Sequence, residues 1–408
     1  MRKSLTFNLV ITVLLSSCQA RPFAEGHLTD ATLDSTPTTF IRHVSGSSRK
    51  ICQLTGDFDR ERDEPTLNET FQRYSVQGTD LGSSLVHEGR TYFFFGDTVG
   101  LSFGSLFGAD SIAFTTDIDP DNCLSLQFVA SASGLFRPTL VPGVSLGSFE
   151  VPTGGFSANG SMYVFFTTDH TSFKTMGRSL LAQSTDHARN FTHLYDFSRD
   201  KFINVAPVVV ENGAIPGLPE SSGKGVLLWG SGVYRLSDPY LAYVPLNRVE
   251  DQNSFRYYAG LNENGTTRWS TMEAEAIPLF NQGCLGELSV AWNPYLHKWL
   301  MLYNCRSPRG INFRVADSPW GPWSAPQVLF NGWRDEGYCH FMHASWLSRW
   351  CDTVNDFGRG FTWGGAYGPY MLPAFFKGDK NTSTIYYVMS TWNPYQVVLM
   401  KSTLIIED

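Results

Sequence analysis

The chain is poor in charge and carries little surplus of either sign. Asp, Glu, Lys and Arg together make up 17% of its 408 residues, with a net charge of −7. A mildly acidic chain lacks the basic face that nucleic-acid phosphates demand, and no run of like charge marks a polybasic membrane patch. No apolar run is long enough to span a bilayer. Helical stripes of useful length are absent. So are a glycine-rich phosphate loop and a dinucleotide fingerprint, which leaves no nucleotide cofactor implied. Gly143-Val144-Ser145-Leu146-Gly147 has the spacing of a nucleophile elbow, but it follows Pro142 and lacks the strand-to-helix setting that exposes such a serine. Cys339, His340, His343 and Cys351 have the residue types of a zinc site, yet in an exported chain a disulfide is the stronger expectation. No metal and no cofactor are therefore expected.

What the chain has in quantity is aromatic. Phe, Trp and Tyr account for 14% of residues, including thirty Phe and eleven Trp. Such a chain can fill a large core and still line a groove with rings. The N-terminus reads Met1-Arg2-Lys3, an apolar stretch from Leu5 to Leu15, then Ser16-Ser17-Cys18-Gln19-Ala20. A basic start, a short apolar run and a small-residue exit describe a secretory signal peptide over residues 1–20. Leu15-Ser16-Ser17-Cys18 also resembles a bacterial lipobox, in which Cys18 would carry lipid. Five N-x-[ST] sequons, at Asn68, Asn159, Asn190, Asn264 and Asn381, favour glycosylation and a secreted eukaryotic protein instead. Past the leader remain Cys52, Cys123, Cys284, Cys305, Cys339 and Cys351. Six cysteines allow fifteen connectivities. Cys284 and Cys305 flank a predicted hairpin close to register, Cys339 and Cys351 share one loop-rich segment, and Cys52 with Cys123 is what remains.

Residues 21–65 have weak periodicity and read as an N-terminal arm that contributes one strand. From residue 66 to 408 the chain is almost wholly short strands punctuated by Gly, Pro, Asn and Asp. One unit recurs: an alternating strand, a turn, then an aromatic strand ending in a small or polar residue. The aromatic strands are expected at Thr91–Asp97, Met162–Asp169, Gly225–Gly232, Lys298–Asn304 and Thr384–Thr391. Five such units predict an all-β, five-bladed β-propeller in a single domain. A β-sandwich with long loops is the other fold considered. Asn159-Gly160 is a hairpin turn signal. Ser184-Thr185-Asp186 resembles an Asp-box turn with Ala188 in place of the usual glycine, and is read as structural.

Two aspartates stand out within the first unit. If Glu88-Gly89 is a two-residue turn, counting outward in register sets Asp80 opposite Asp97. Like charges facing one another destabilise a sheet. The bland explanations are solvation at a sheet end, or a bulge that breaks the register. The sharper one is that repulsion and partial burial raise one pKa, leaving a proton donor beside a base, the pair that glycosidic cleavage requires. Glu287, beside Gly286 at the start of the fourth unit, is a candidate sugar contact or alternative acid; an ion pair with Arg306 is its structural reading. Arg235, after the turn Gly230-Ser231-Gly232, is a second candidate contact. Trp363, Tyr367 and Tyr370 lie among glycines and suit either stacking on sugar faces or core packing. His343 is a candidate hydrogen-bonding residue near the channel.

Four blocks in sequence order carry a family resemblance. They are Gly78-Thr79-Asp80-Leu81-Gly82 with Phe95-Gly96-Asp97-Thr98; Leu228-Trp229-Gly230-Ser231-Gly232 with Tyr234-Arg235; Gly286-Glu287-Leu288-Ser289-Val290 with Trp292-Asn293-Pro294; and Gly365-Ala366-Tyr367-Gly368-Pro369-Tyr370. Over roughly residues 70 to 405 the chain resembles the domain-of-unknown-function family that includes microbial endo-D-arabinanases. The resemblance implies a five-bladed propeller acting on α-linked D-arabinofuranose chains, with its two catalytic carboxylates at Asp80 and Asp97. The expected partner is a polysaccharide or glycan substrate. The rival readings are a non-catalytic glycan-binding propeller, and a hydrolase of different specificity using Glu287 as acid.

Overall fold

The computed structural model of the chain describes residues 40–100, 109–172, 175 and 177–407. The expected signal peptide and Cys18 lie outside the described residues. Among those residues the one α-helix is the short Thr70–Tyr74, and everything else of regular structure is strand or 3₁₀ turn. Five antiparallel sheets follow one another along the chain. The first is Val76–His87, Arg90–Gly100, Ala109–Thr115 and Gln127–Phe128. The second is Pro152–Ala158, Ser161–Thr168, Arg178–Ser184 and Thr192–Ser198. The third runs Asn204–Glu211, Lys224–Ser231, Pro239–Pro245, Arg256–Leu261 and Thr267–Ser270. The fourth comprises Leu288–Asn293, Lys298–Arg306, Arg309–Ala316 and Gln327–Phe330. The fifth is built on Ala366–Met371, Thr382–Trp392 and Tyr395–Glu407.

The first strand of each sheet packs against the first strand of the next, and the fifth packs back against the first, so the ring closes. The fold is a five-bladed β-propeller, not a sandwich. Second strands are buried on both faces, which explains their unbroken apolar runs. Tyr92 and Phe94 pack with Val164 and Phe166 of the second blade, whereas Phe93 and Phe95 pack with Tyr386 and Val388 of the fifth. Successive side chains of a strand point to opposite faces, so each second strand serves two interfaces in turn. The same alternation gives Phe165 with Leu228, Trp229 with Trp299, and Leu302 with Tyr387. Five apolar clusters thus occupy the five gaps between blades. Fully burying each such ring stabilises the fold by about 1.5–3 kcal/mol.

The N-terminal reading needs correction. Phe40–His43 and Arg49–Gln53 both pair with Tyr395–Glu407, so residues 40–53 supply outer strands of the fifth blade instead of forming an arm up to residue 65. The reason is that Tyr395–Glu407 would otherwise expose an unpaired edge of main-chain donors and acceptors. The disulfides are Cys52–Cys123, Cys284–Cys305 and Cys339–Cys351, the pairing expected from the sequence. Cys52–Cys123 joins this closing segment to the first blade. Thiol titration of denatured, unreduced protein lacking residues 1–20 is accordingly expected to find no free cysteine.

Of the sequons, Asn159, Asn190, Asn264 and Asn381 are exposed. Asn68 is not available to a glycan in the folded chain. It is fully buried, its amide donating to the carbonyls of Leu54 and Leu124 and accepting from the N–H of Leu126. It is a structural clamp under the first blade.

Candidate active site

The five inner strands run from the same mouth of the channel, and residues near their first ends meet there. Asp80, Val151, Asn204, Glu287 and Tyr367, one from each blade, line a cavity of about 420 Å³. Asp97, Phe149, His170, Tyr234, Arg235, Trp363 and Trp392 complete its wall. Chemistry-bearing residues spread over more than three hundred positions converge because each occupies the equivalent place in its blade.

Asp80 does not pair with Asp97. The Glu88-Gly89 turn sets His87 opposite Arg90 as expected, and the register holds to Ser83–Phe94. Gly82 is then an extra residue, so Leu81 pairs with Phe95 and Asp80 with Gly96. Leu81 and Gly82 have φ of 62° and 101°, a conformation that glycine tolerates and leucine rarely adopts. A second irregularity leaves Thr79 against both Asp97 and Thr98, between the pairs Asp80–Gly96 and Gly78–Val99. Bulges of this kind re-aim side chains. Both aspartates remain on the cavity wall even though neither opposes the other.

Their environments differ. Asp80 is 8% exposed; Oδ2 accepts a hydrogen bond from the Tyr367 hydroxyl at 2.9 Å, while Oδ1 is buried without a partner. Burial, then the charge of Asp97, pushes the Asp80 carboxyl up to about 8. Asp97 is half-buried and takes the N–H of Phe149 on both oxygens, at 3.0 and 3.1 Å. Burial raises it to about 6, with that amide holding it down. The Tyr395 hydroxyl donates to the Asp97 carbonyl at 2.9 Å, tying the fifth blade to this bulge.

Glu287, 5% exposed, pairs with Arg235 and not with Arg306. Its carboxylate accepts from the Tyr234 hydroxyl at 2.9 Å and from Arg235 at 3.2 and 3.4 Å. The guanidinium also lies 4.5 Å from the Tyr234 ring centre and 5.3 Å from that of Tyr367, so it links the third, fourth and fifth blades. Trp363 and Trp392 stand partly exposed at the rim. Tyr370 lies elsewhere, on a second cavity of about 440 Å³ toward the opposite mouth.

His343 is not brought to the site. It is fully buried, Nδ1 bonded to Asp352 and Nε2 to the Gly360 carbonyl at 2.8 Å, so both ring nitrogens are engaged in holding its loop. The sequence reading missed Asn204, His170 and Asp110. Asn204 starts the third inner strand and Glu287 immediately precedes the fourth, a positional signal the strand pattern already contained. Asn204 Nδ2 and His170 Nδ1 are buried without partners, as is Asp80 Oδ1. Asp110, on the third strand of the first blade, is 2% exposed; burial and the charges of Asp97 and Asp80 hold its carboxyl well above the usual range. Nothing in its local sequence marks it.

Residues 66–401 match the family described as a domain of unknown function, DUF4185. The chain belongs to that family. No curated protein matches it by sequence. Solved structures with a similar fold include a GH43 β-xylosidase/α-arabinofuranosidase from a compost microbial metagenome, at 10% identity and a TM-score of 0.44, covering 89% of this chain and 95% of that one. An exo-β-1,3-galactanase of Phanerochaete chrysosporium aligns at 12% identity and 0.45, covering 87% and 64%. A GH43_1 enzyme of Xanthomonas citri aligns at 12% and 0.42, covering 80% and 87%.

Proposed function

We propose that this DUF4185 member is an exported glycoside hydrolase in which Asp80 is the proton donor and Asp97 the second carboxylate. The observation that carries the reading is a single cavity holding two carboxyls whose surroundings push their pKa values up to different extents, the separation that acid–base pairs depend on. Asp80 keeps its proton near neutrality; Tyr367 donates to Oδ2 and Oδ1 is buried beside Gly96, so the carboxyl turns to present its proton to a glycan in the cavity. The proton passes to the glycosidic oxygen as its bond to the anomeric carbon breaks. Asp97 acts at that carbon, as base toward water or as nucleophile; the anomeric configuration of the first product distinguishes the two.

Asp80, Asn204 and His170 all line the cavity, and each holds a buried polar atom without a partner (Oδ1, Nδ2 and Nδ1), a mix of donor and acceptor that suits a hydroxyl-rich ligand. Trp363, Trp392 and Phe149 offer ring faces for the apolar side of a sugar. Each hydrogen bond of the Glu287 carboxylate comes from a donor on Tyr234 or Arg235, which suits positioning Arg235 and binding hydroxyls. The resemblance of the four sequence blocks to endo-D-arabinanases makes an arabinofuranose polymer the first substrate to try. Three disulfides fit an oxidising compartment, and among the described residues no helix is long and apolar enough to cross a membrane.

The test is incubation with a panel of D- and L-arabinans and galactans, with chromatography of the released sugars. Release of arabino-oligosaccharides is the expected result. Binding without release would mark a glycan-binding propeller. Gly96→Ala provides a check that avoids the carboxylates. A Cβ there falls 2.7 Å from Asp80 Oδ1 and 2.8 Å from Val151 Cγ1, so the Asp80 carboxyl must move. Activity is expected to fall at least about tenfold, with a stability loss of about 1–3 kcal/mol in urea titration.

A further inference from the structure

The first hairpin ends away from the Asp80 mouth, and a second cluster with its own chemistry gathers at its tip. His87 and Glu88 belong to the turn, while His187 reaches them from the loop between Arg178–Ser184 and Thr192–Ser198 of the second blade. Glu88 Oε1 lies 4.0 Å from His87 Nε2, and Glu88 Oε2 lies 3.8 Å from His187 Nε2. The three residues bring one donor atom each to within 4.8 Å of one another. His87 is the built part of this arrangement. Its side chain is 3% exposed and its Nδ1 is bonded at 2.8 Å to Ser157 Oγ, on the inner strand of the second blade. A hydrogen bond on one ring nitrogen that aims the other is how protein metal sites orient their histidines.

We propose that His87, Glu88 and His187 form a zinc site that clips the first blade to the second. Two imidazoles and one carboxylate are a zinc donor set, with water completing a tetrahedron; calcium and magnesium prefer oxygen donors throughout. Zn–N and Zn–O distances of about 2.0–2.2 Å place tetrahedral donors roughly 3.3–3.5 Å apart. The present separations of 3.8 and 4.0 Å from Glu88, with all three donors within 4.8 Å of one another, need a closure of about 1.5 Å at most. Glu88 and His187 can make it, being 59% and 50% exposed, while His87 stays fixed. The site is independent of the proposed hydrolase chemistry.

The test uses full-length, tag-free protein stripped with EDTA and dialysed. Zinc titration by calorimetry at pH 7.5 is expected to give one ion per chain with micromolar or tighter affinity. Zinc is expected to raise the melting temperature by several degrees, and calcium to leave it unchanged. His187→Asn is the informative variant because residue 187 has φ of 59°, a conformation asparagine accepts. Without zinc it is expected to melt within about 2 °C of the parent, and with zinc to show no shift. Glu88→Gln is expected to weaken zinc at least tenfold. No uptake at about 100 μM zinc, or uptake that either variant leaves unchanged, overturns the proposal.

Discussion

Asp80→Asn and Asp97→Asn are each expected to lower kcat/KM on a cleaved glycan by about 10²–10⁴-fold, the usual worth of a positioned acid or base. The pH profile separates their roles. With Asp80 raised to about 8 and Asp97 to about 6, activity in the parent is expected to plateau between roughly those values and fall on either side. Asp97→Asn removes the acidic limb, and Asp80→Asn the alkaline one, from whatever activity remains. Stability moves the other way. A carboxyl whose folded pKa lies above its ordinary value holds its proton in the native state after the unfolded chain has released it. The stability this contributes is complete below about pH 4 and is lost as pH rises toward 8. Asp80→Asn escapes that loss, so its advantage in thermal melts is expected to be absent near pH 3.5 and to reach on the order of 1–3 kcal/mol above pH 8. Full activity in both variants would falsify the assignment.

Arg235→Met is expected to cost about 2–4 kcal/mol in denaturant unfolding. Glu287 is 5% exposed, and the substitution leaves it with the Tyr234 hydroxyl alone in place of three donors. Breaking a buried pair by removing one partner strands the other charge, which is worth more than the pair itself. The lower part of the usual range applies because the guanidinium side chain is 35% exposed. Removing both charges, as Arg235→Met with Glu287→Leu, is expected to recover at least half of the loss. A double-mutant cycle measures this directly, and a cycle without coupling would show that the two residues do not support one another. Glycan affinity is expected to fall in the single and double variants alike, since Arg235 lines the cavity whether or not stability is restored.

The repeat was legible because a propeller blade buries its second strand on both faces. Tyr92-Phe93-Phe94-Phe95 and its four counterparts therefore stand out as apolar runs that a one-sided sheet would interrupt. Two disulfide pairs follow from hairpin register and loop proximity, and Cys52–Cys123 only by elimination. The fifth blade was harder, since its closing strands lie at the far end of the chain, and Phe40–His43 has no local signal saying it will meet Leu404–Glu407. Glu287 stands out in the sequence but its partner does not: Arg306 is nearer along the chain, whereas Arg235 shares the channel mouth. His343 has the residue type of a site residue but holds a loop through two hydrogen bonds, which only its tertiary surroundings reveal.

By itself, the sequence determined the β class and the fivefold repeat, because these depend on local alternation and turn residues; it suggested the cysteine pairs without fixing one of the fifteen connectivities. It also singled out Asp80 and Asp97, through an idealised hairpin that the molecule does not keep. Only the tertiary structure decided that both belong to one cavity. The bulge at Leu81-Gly82 breaks their pairing, and what brings them together with Asn204, Glu287 and Tyr367 is the closing of five blades around a channel. Burial and neighbouring charge are properties of that assembled ring, so the raised carboxyl of Asp80 could not be read from the residues beside it.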